Sequence, residues 1–202
     1  MTGVARRIGI LGGAFDPPHR AHLALARIAI EQLQLDELRV IPTGQAWHKP
    51  RPLTAPEHRL AMTRLAFAAL PQVVLDPREV ERPGPSYTID TLHELQLTAP
   101  GCELFLIIGA DQAQALTSWR SWQEIVKIAT ICVAFRACFM RAGAEFDAEK
   151  AFPQRFLHLP MPAMAISATD IRAAVLAHQD VTPLVDEPVA RYIADHHLYQ
   201  TV

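Results

Sequence analysis

The sequence predicts an α/β fold, a doubly wound parallel sheet with helices on both faces, on three observations. Five short, nearly continuous apolar runs recur along the chain, at Ile8 to Leu11, Leu38 to Ile41, Val73 to Leu75, Leu104 to Ile108 and Ile131 to Phe135. Short runs without alternation are what strands buried on both faces require. Helical patterns lie between the runs, which gives the βαβ order of a parallel sheet. The first run leads into Gly12-Gly13 and then a helical pattern, the strand-turn-helix order of a crossover.

Taken in order, the first helix is expected to start near His19 and to turn Leu23, Ala26, Ile30 and Leu33 toward the sheet. Three capping boxes mark further helix starts, at Thr54 with Glu57, Ser121 with Glu124 and Ser167 with Asp170. The proline-rich stretch from Pro42 to Pro56 is expected to be a surface loop, and Arg136 to Pro162 has no clear period. Two helical patterns close the chain, around Ile171 to Leu176 and Val189 to Ile193, so a C-terminal helical part is expected over about 167–202. With no repeat, low-complexity tract or boundary signal, residues 1–202 are expected to form a single domain.

Composition excludes several function classes. The 19 Lys and Arg residues against 21 Asp and Glu leave a net charge of −2, which gives no bulk attraction to nucleic acid; a polyanion site must be local. The three cysteines, Cys102, Cys132 and Cys138, form no CxxC pair and leave one over, which fits neither a disulfide framework nor a zinc cluster. No stretch reaches the roughly 18 apolar residues of a membrane span, and Asp16 with two prolines interrupts any signal-like run after Arg6-Arg7. A cytoplasmic protein without membrane or nucleic-acid partners is expected, and a homo-oligomer stays open.

The chemistry concentrates between Gly9 and Ala26, GILGGAFDPPHRAHLALA. Gly12-Gly13 lets a ligand approach the backbone, and the following helix start offers unpaired N–H groups to an anion. His19 and His22, three apart, project from one face of that first turn, and the occupant they suit is a phosphate. An ordinary turn with solvated caps is the bland alternative. A metal site of Asp16, His19 and His22 is another, but it lacks a further fixed ligand nearby, and no metal ligand is assigned. Neither a GxGxxG fingerprint nor a GxxxxGK[ST] loop is present.

This segment resembles the GGxFDPxHxGH signature of the nucleotidyltransferase superfamily with HxGH motifs. Within it the chain is similar to the bacterial nicotinate-nucleotide adenylyltransferase family, through IPTGQAWHKP (Ile41 to Pro50), RPGPSYTIDTL (Arg82 to Leu92), IIGADQAQALTSWRSW (Ile107 to Trp122), ISATDIR (Ile166 to Arg172) and a tail with Glu187-Pro188 and Leu198-Tyr199. These blocks run in the expected order over nearly the full length. One departure is Ala21, where the family has glycine between the histidines. A methyl is the smallest intrusion, and a working site is expected.

The resemblance implies a Rossmann-like fold and adenylyl transfer from ATP to nicotinate mononucleotide, giving nicotinate adenine dinucleotide and pyrophosphate, a step of NAD biosynthesis. The attacking phosphate is already an anion, so the chemistry needs positioning and charge neutralisation rather than a general base. By resemblance, His22 stabilises the α-phosphoryl transition state with His19 beside it, and Gly12, Gly13, Phe15, Gly109 and Asp111 belong to the ATP-binding elements. Ser167, Thr169 and Arg172 would take the β- and γ-phosphates, although Ser167 and Thr169 read equally well as helix caps. Trp119 would stack on the pyridine ring, Thr88 would lie where N–H groups meet the nicotinate carboxylate, and His48-Lys49 would meet the substrate phosphate. Read without the resemblance, Asp111 and Thr88 are caps, Trp119 and Trp122 are packing residues, and His48-Lys49 is a solvated pair. Mg2+ is expected with ATP. His58, His93, His158, His178, His196 and His197 have no spacing tied to chemistry. The alternatives are a sister adenylyltransferase acting on nicotinamide mononucleotide or phosphopantetheine, and a non-catalytic nucleotide-binding module.

Overall fold

A computed structural model describes residues 5–45, 53–136 and 146–200. Strands β1 (Arg7–Gly13), β2 (Glu37–Pro42), β3 (Val73–Leu75), β4 (Glu103–Gly109), β5 (Ala129–Arg136) and β6 (Phe156–Met161) pair in parallel in the order β3-β2-β1-β4-β5-β6. Helices α1 (Arg20–Gln32), α2 (Pro56–Phe67), α3 (Arg78–Glu81), α4 (Thr88–Thr98), α5 (Ala110–Gln114), α6 (Trp122–Ile128), α7 (Asp147–Ala151), α8 (Ala168–Leu176) and α9 (Glu187–Asp195) connect and follow them. The strand order reverses between β1 and β4, so the crevice at their C-terminal ends is where such a sheet receives a ligand.

The central strands β1, β2, β4 and β5 divide their apolar runs between two cores. Leu11, Leu38 and Ile107 face one core with α1, α2, α8 and α9, whereas Ile8, Ile41, Leu106 and Ile131 face the other with α4, α6 and α7. The C-terminal helices thus close the same face as α1, through Ile171, Val189 and Ile193. In α1 the inward positions are Leu23, Ala26 and Ala29, followed by Leu33 after the helix, while Ile30 is only partly buried. The two alanines, one turn apart, sit against the sheet where the expected Ile30 would have stood.

Two other expectations change. Helix α2 starts at Pro56, with Ala55 rather than Thr54 as its cap, because proline at the first turn already supplies a fixed φ and lacks a donor to satisfy. Ser121 does precede α6, but its φ of 53° is left-handed, not the extended conformation in which a hydroxyl reaches back to the helix, and Glu124 pairs instead with His93 at 2.9 Å. Ser167 caps α8 as expected, accepting from the Asp170 N–H at 3.1 Å. Strand β6 lies in the stretch that has no sequence period: it is an edge strand with Leu157 and His158 exposed and a proline at Pro160, so it shows neither a run nor an alternation. Cys102 and Cys132 are free thiols, and Cys138 lies outside the described residues. No helix among the described residues is long and apolar enough to cross a membrane.

Candidate active site

The crevice begins at two glycines with different reasons. A Cβ on Gly9 would stand 2.5 Å from Leu35 Cδ1, so the core requires its absence; a Cβ on Gly12 would meet nothing within 4 Å. Gly12 is exposed at the C-terminal end of β1, so backbone is open to a ligand there. Two residues beyond Gly13, Phe15 adopts a left-handed φ of 47° and is 2% exposed. Its ring packs edge-on against Phe67 at 6.0 Å and against His22 at 5.0 Å. Phe15, placed by resemblance among the ATP-binding residues, has its side chain buried against the His22 ring.

His19 is the N-cap of α1, with extended backbone, and its N–H donates to His22 Nδ1 at 3.2 Å. An Nδ1 that accepts leaves the ring proton on Nε2, so the backbone selects the His22 tautomer. The two rings stack at 3.7 Å between centroids. Burial lowers the His19 pKa to about 4, against the raising effect of a backbone hydrogen bond, so the ring is neutral at pH 7. Its Nδ1 is buried with no hydrogen-bond partner in the folded chain.

Asp16, 2% exposed, binds three distant segments to this turn. Its Oδ1 accepts from the Tyr199 hydroxyl at 2.7 Å, its Oδ2 from the Thr54 N–H at 3.3 Å, and its carbonyl from Arg172 Nη1 at 2.8 Å. Arg59, 1% exposed, completes the corner by donating to the carbonyls of Thr54 and Ala14, both at 3.0 Å. Arg172 also donates to Thr169 Oγ1 at 3.1 Å, which brings the start of α8 to the start of α1. Ser167 spends its hydroxyl on Asp170, donating to Oδ2 at 2.7 Å while it caps the helix.

Across the crevice, Gly109 is the N-cap of α5 and its N–H donates to Gln112 Oε1 at 3.1 Å; Asp111 is exposed in the first turn. Thr88 is the first residue of α4 rather than its cap, which is Tyr87. Trp119 follows a 3-10 turn and is partly buried against the second core. The Arg120 guanidinium lies 4.8 Å over the Tyr87 ring, so the segments carrying Thr88 and Trp119 run side by side. Trp122 has the packing role expected of it, edge-on to Phe152 at 5.9 Å. His48 and Lys49 lie outside the described residues. Both flanks of their loop are tied to the β1–α1 turn, through Thr43 N–H to the Gly13 carbonyl at 2.8 Å and through Thr54 N–H to Asp16.

Sequence reasoning missed two members of this corner. Arg59 lies on the buried side of α2 with Met62, Thr63, Ala66 and Phe67, at helical spacing, and a charged residue in that stripe was a readable signal. The partnership of Tyr199 with Asp16, 183 residues apart, has no local signature. Among the described residues no group of three or more His, Cys, Asp or Glu side chains is placed to hold a metal ion.

Comparison with known proteins shows the family and the fold. Residues 10–174 match the cytidylyltransferase-like family model. The chain is 63% identical, over 97% of its length and 99% of the relative's, to a protein of Albidiferax ferrireducens named "Probable nicotinate-nucleotide adenylyltransferase". It is 46% identical, over 96% of its length and 92% of the relative's, to one of the same name from Methylibium petroleiphilum. Its fold is similar to that of Plasmodium falciparum nicotinic acid mononucleotide adenylyltransferase complexed with NaAD, with a TM-score of 0.76 at 19% identity, covering 96% of this chain and 98% of that one.

Proposed function

The chain belongs to the nicotinate-nucleotide adenylyltransferase family, and from that premise we propose that it transfers the adenylyl group of ATP to nicotinate mononucleotide. A phosphate oxygen of the mononucleotide attacks the α-phosphorus, the bond from that phosphorus to the β-bridging oxygen breaks, and pyrophosphate leaves. No proton has to be removed. The residues answer the two remaining needs, alignment and charge neutralisation.

The observation that carries the reading is the His19 N–H to His22 Nδ1 bond at the mouth of the crevice. It presents Nε2–H of His22 as a preorganised donor for the α-phosphoryl oxygens, whose charge grows in the transition state. His19, neutral at pH 7, contributes ring polarity and no charge. The N–H groups at the opening of α8 and the Arg172 guanidinium suit the leaving pyrophosphate. Open backbone at Gly12-Gly13, with Gly109 and Asp111 opposite, suits the rest of ATP. Trp119 offers a face to the pyridinium ring and the start of α4 at Thr88 offers N–H groups to the nicotinate carboxylate. His48 and Lys49 supply positive charge for the mononucleotide phosphate. The described residues form no carboxylate cage, so we assign Mg2+ to ATP as its counter-ion. A cytoplasmic location fits free nucleotide substrates.

Pyrophosphate release with ATP and a panel of mononucleotides tests the reading. Release with nicotinate mononucleotide, and little with phosphopantetheine, is expected; no release with any acceptor overturns it in favour of a binding module.

A further inference from the structure

We propose that Tyr199, at the far end of the chain, is a positioning residue of the active site, acting through Asp16 on the turn that carries His19 and His22. The proposal rests on His22 being the transition-state donor. After α9, the Leu198 N–H closes on the Ile193 carbonyl at 3.0 Å, and His197 and Tyr199 both take left-handed φ values, 51° and 64°. Such values are uncommon for residues other than glycine, and here they turn the tail back onto α2, where the Tyr199 hydroxyl comes within 4.0 Å of Met62 Sδ. Burial pushes the phenol pKa well up, and the Asp16 charge adds to it, so the hydroxyl remains a donor throughout the physiological range.

From that hydroxyl the path is short. Tyr199 donates to Asp16 Oδ1 at 2.7 Å; three residues after Asp16, the His19 N–H donates to His22 Nδ1. The other Asp16 oxygen holds the Thr54 flank of the loop that bears His48 and Lys49, and the Asp16 carbonyl holds Arg172. A buried carboxylate that loses the donor on its Oδ1 must turn toward the donors left to it, and the backbone from Asp16 to His19 moves with it. The same end of the chain supplies a control. Tyr192 on α9 makes a hydroxyl contact of similar kind with α2, at 3.0 Å, but its partner is His58 Nδ1 rather than Asp16.

The test compares Tyr199→Phe with Tyr192→Phe, each below its melting temperature, by steady-state kinetics and by nitrogen NMR of the histidine rings. Tyr199→Phe is expected to lower kcat about tenfold, within the range that small misplacements cost, and to weaken the signal of the Nε2–H tautomer of His22. Tyr192→Phe is expected to keep kcat within about twofold and to leave that signal unchanged, the pattern of a contact outside the chemistry. Combining Tyr199→Phe with Asp16→Asn is expected to cost no more kcat than Asp16→Asn alone, since both act on one link. Wild-type kcat and tautomer signal in Tyr199→Phe, equal losses in the two tyrosine variants, or additive losses in the double variant would each overturn the proposal. The NMR comparison needs no substrate, so it separates failure here from failure of the functional reading.

Discussion

Two polar regions beside the same sheet are built on opposite rules. On the flank of β2 and β3, Glu37 receives Arg6 and Arg39, each at 2.6 Å, and Arg39 continues to Asp76 at 3.0 Å. Arg78 then reaches Asp76 at 2.7 Å and Glu94 at 3.3 Å, and Arg82 reaches Glu94 at 2.7 Å. Burial pushes the Asp76 carboxyl up, but the bonds from Arg78 and Arg39 win and hold it below its usual range. Even Glu79, which burial pushes up, accepts from Thr91 at 2.8 Å. At the start of α1, by contrast, two imidazoles are stacked and one buried ring nitrogen has no partner. Saturated charges hold a scaffold together; the incomplete His19 ring nitrogen lies instead where the proposed reaction brings another molecule.

The sharpest break of this contrast is His22→Ala. It is expected to lower kcat by about 100- to 1000-fold, the usual cost of losing one preorganised donor, with little change in melting temperature; near-normal turnover would remove His22 from the chemistry. Its counterpart is Asp76→Ala, which removes one carboxylate partner from Arg39 and one from Arg78 while leaving them Glu37 and Glu94, and is expected to cost about 2 kcal/mol of stability, the scale of hydrogen bonds to a charged group. Denaturant unfolding measures that loss, and kcat of the folded fraction is expected to stay at the wild-type level.

Substrate choice comes next in size. Nicotinate mononucleotide is expected to be preferred over its amide by about 10- to 100-fold in kcat/KM, because the N–H donors proposed for its carboxylate at the start of α4 would leave amide hydrogens unpaired. Trp119→Ala is expected to weaken both substrates alike, since stacking does not sense the carboxylate; competition at limiting enzyme checks both statements. The smallest effect is a pH dependence. The folded pKa of His19, about 4, lies below its unfolded value of 6.5, so the unfolded chain binds the extra proton and stability rises with pH between these limits. At pH 5.5 the free enzyme is expected to have lost about 1 kcal/mol relative to pH 7.5 on this account, and His19→Gln is expected to flatten that slope in unfolding curves.

The fold was legible where burial was complete. Strands β1, β2 and β4 are buried on both faces and show as runs, while β6, on the edge with Pro160 and an exposed Leu157, does not. Local signals behaved likewise: Ser167 with Asp170 and His19 with His22 are three-residue spacings that a helix enforces, and both appear as read. Ser121 carried the same spacing and lost it to a left-handed backbone, which no capping pattern encodes. The Asp16 corner was the least legible part, because it is assembled from residues 16, 54, 59, 172 and 199, and their meeting is a property of topology.

Gly12 has a practical consequence for anyone wishing to make this protein hardier. Its φ is not left-handed and an added methyl meets no atom, so Gly12→Ala satisfies both conditions for a stabilising replacement, with a typical gain of about 0.4–1 kcal/mol from a stiffer unfolded chain. A screen for heat resistance would select it early. An assay of turnover would reject it, since the methyl would occupy the approach to the backbone at the mouth of the crevice. Robustness and catalysis are therefore expected to compete at Gly12.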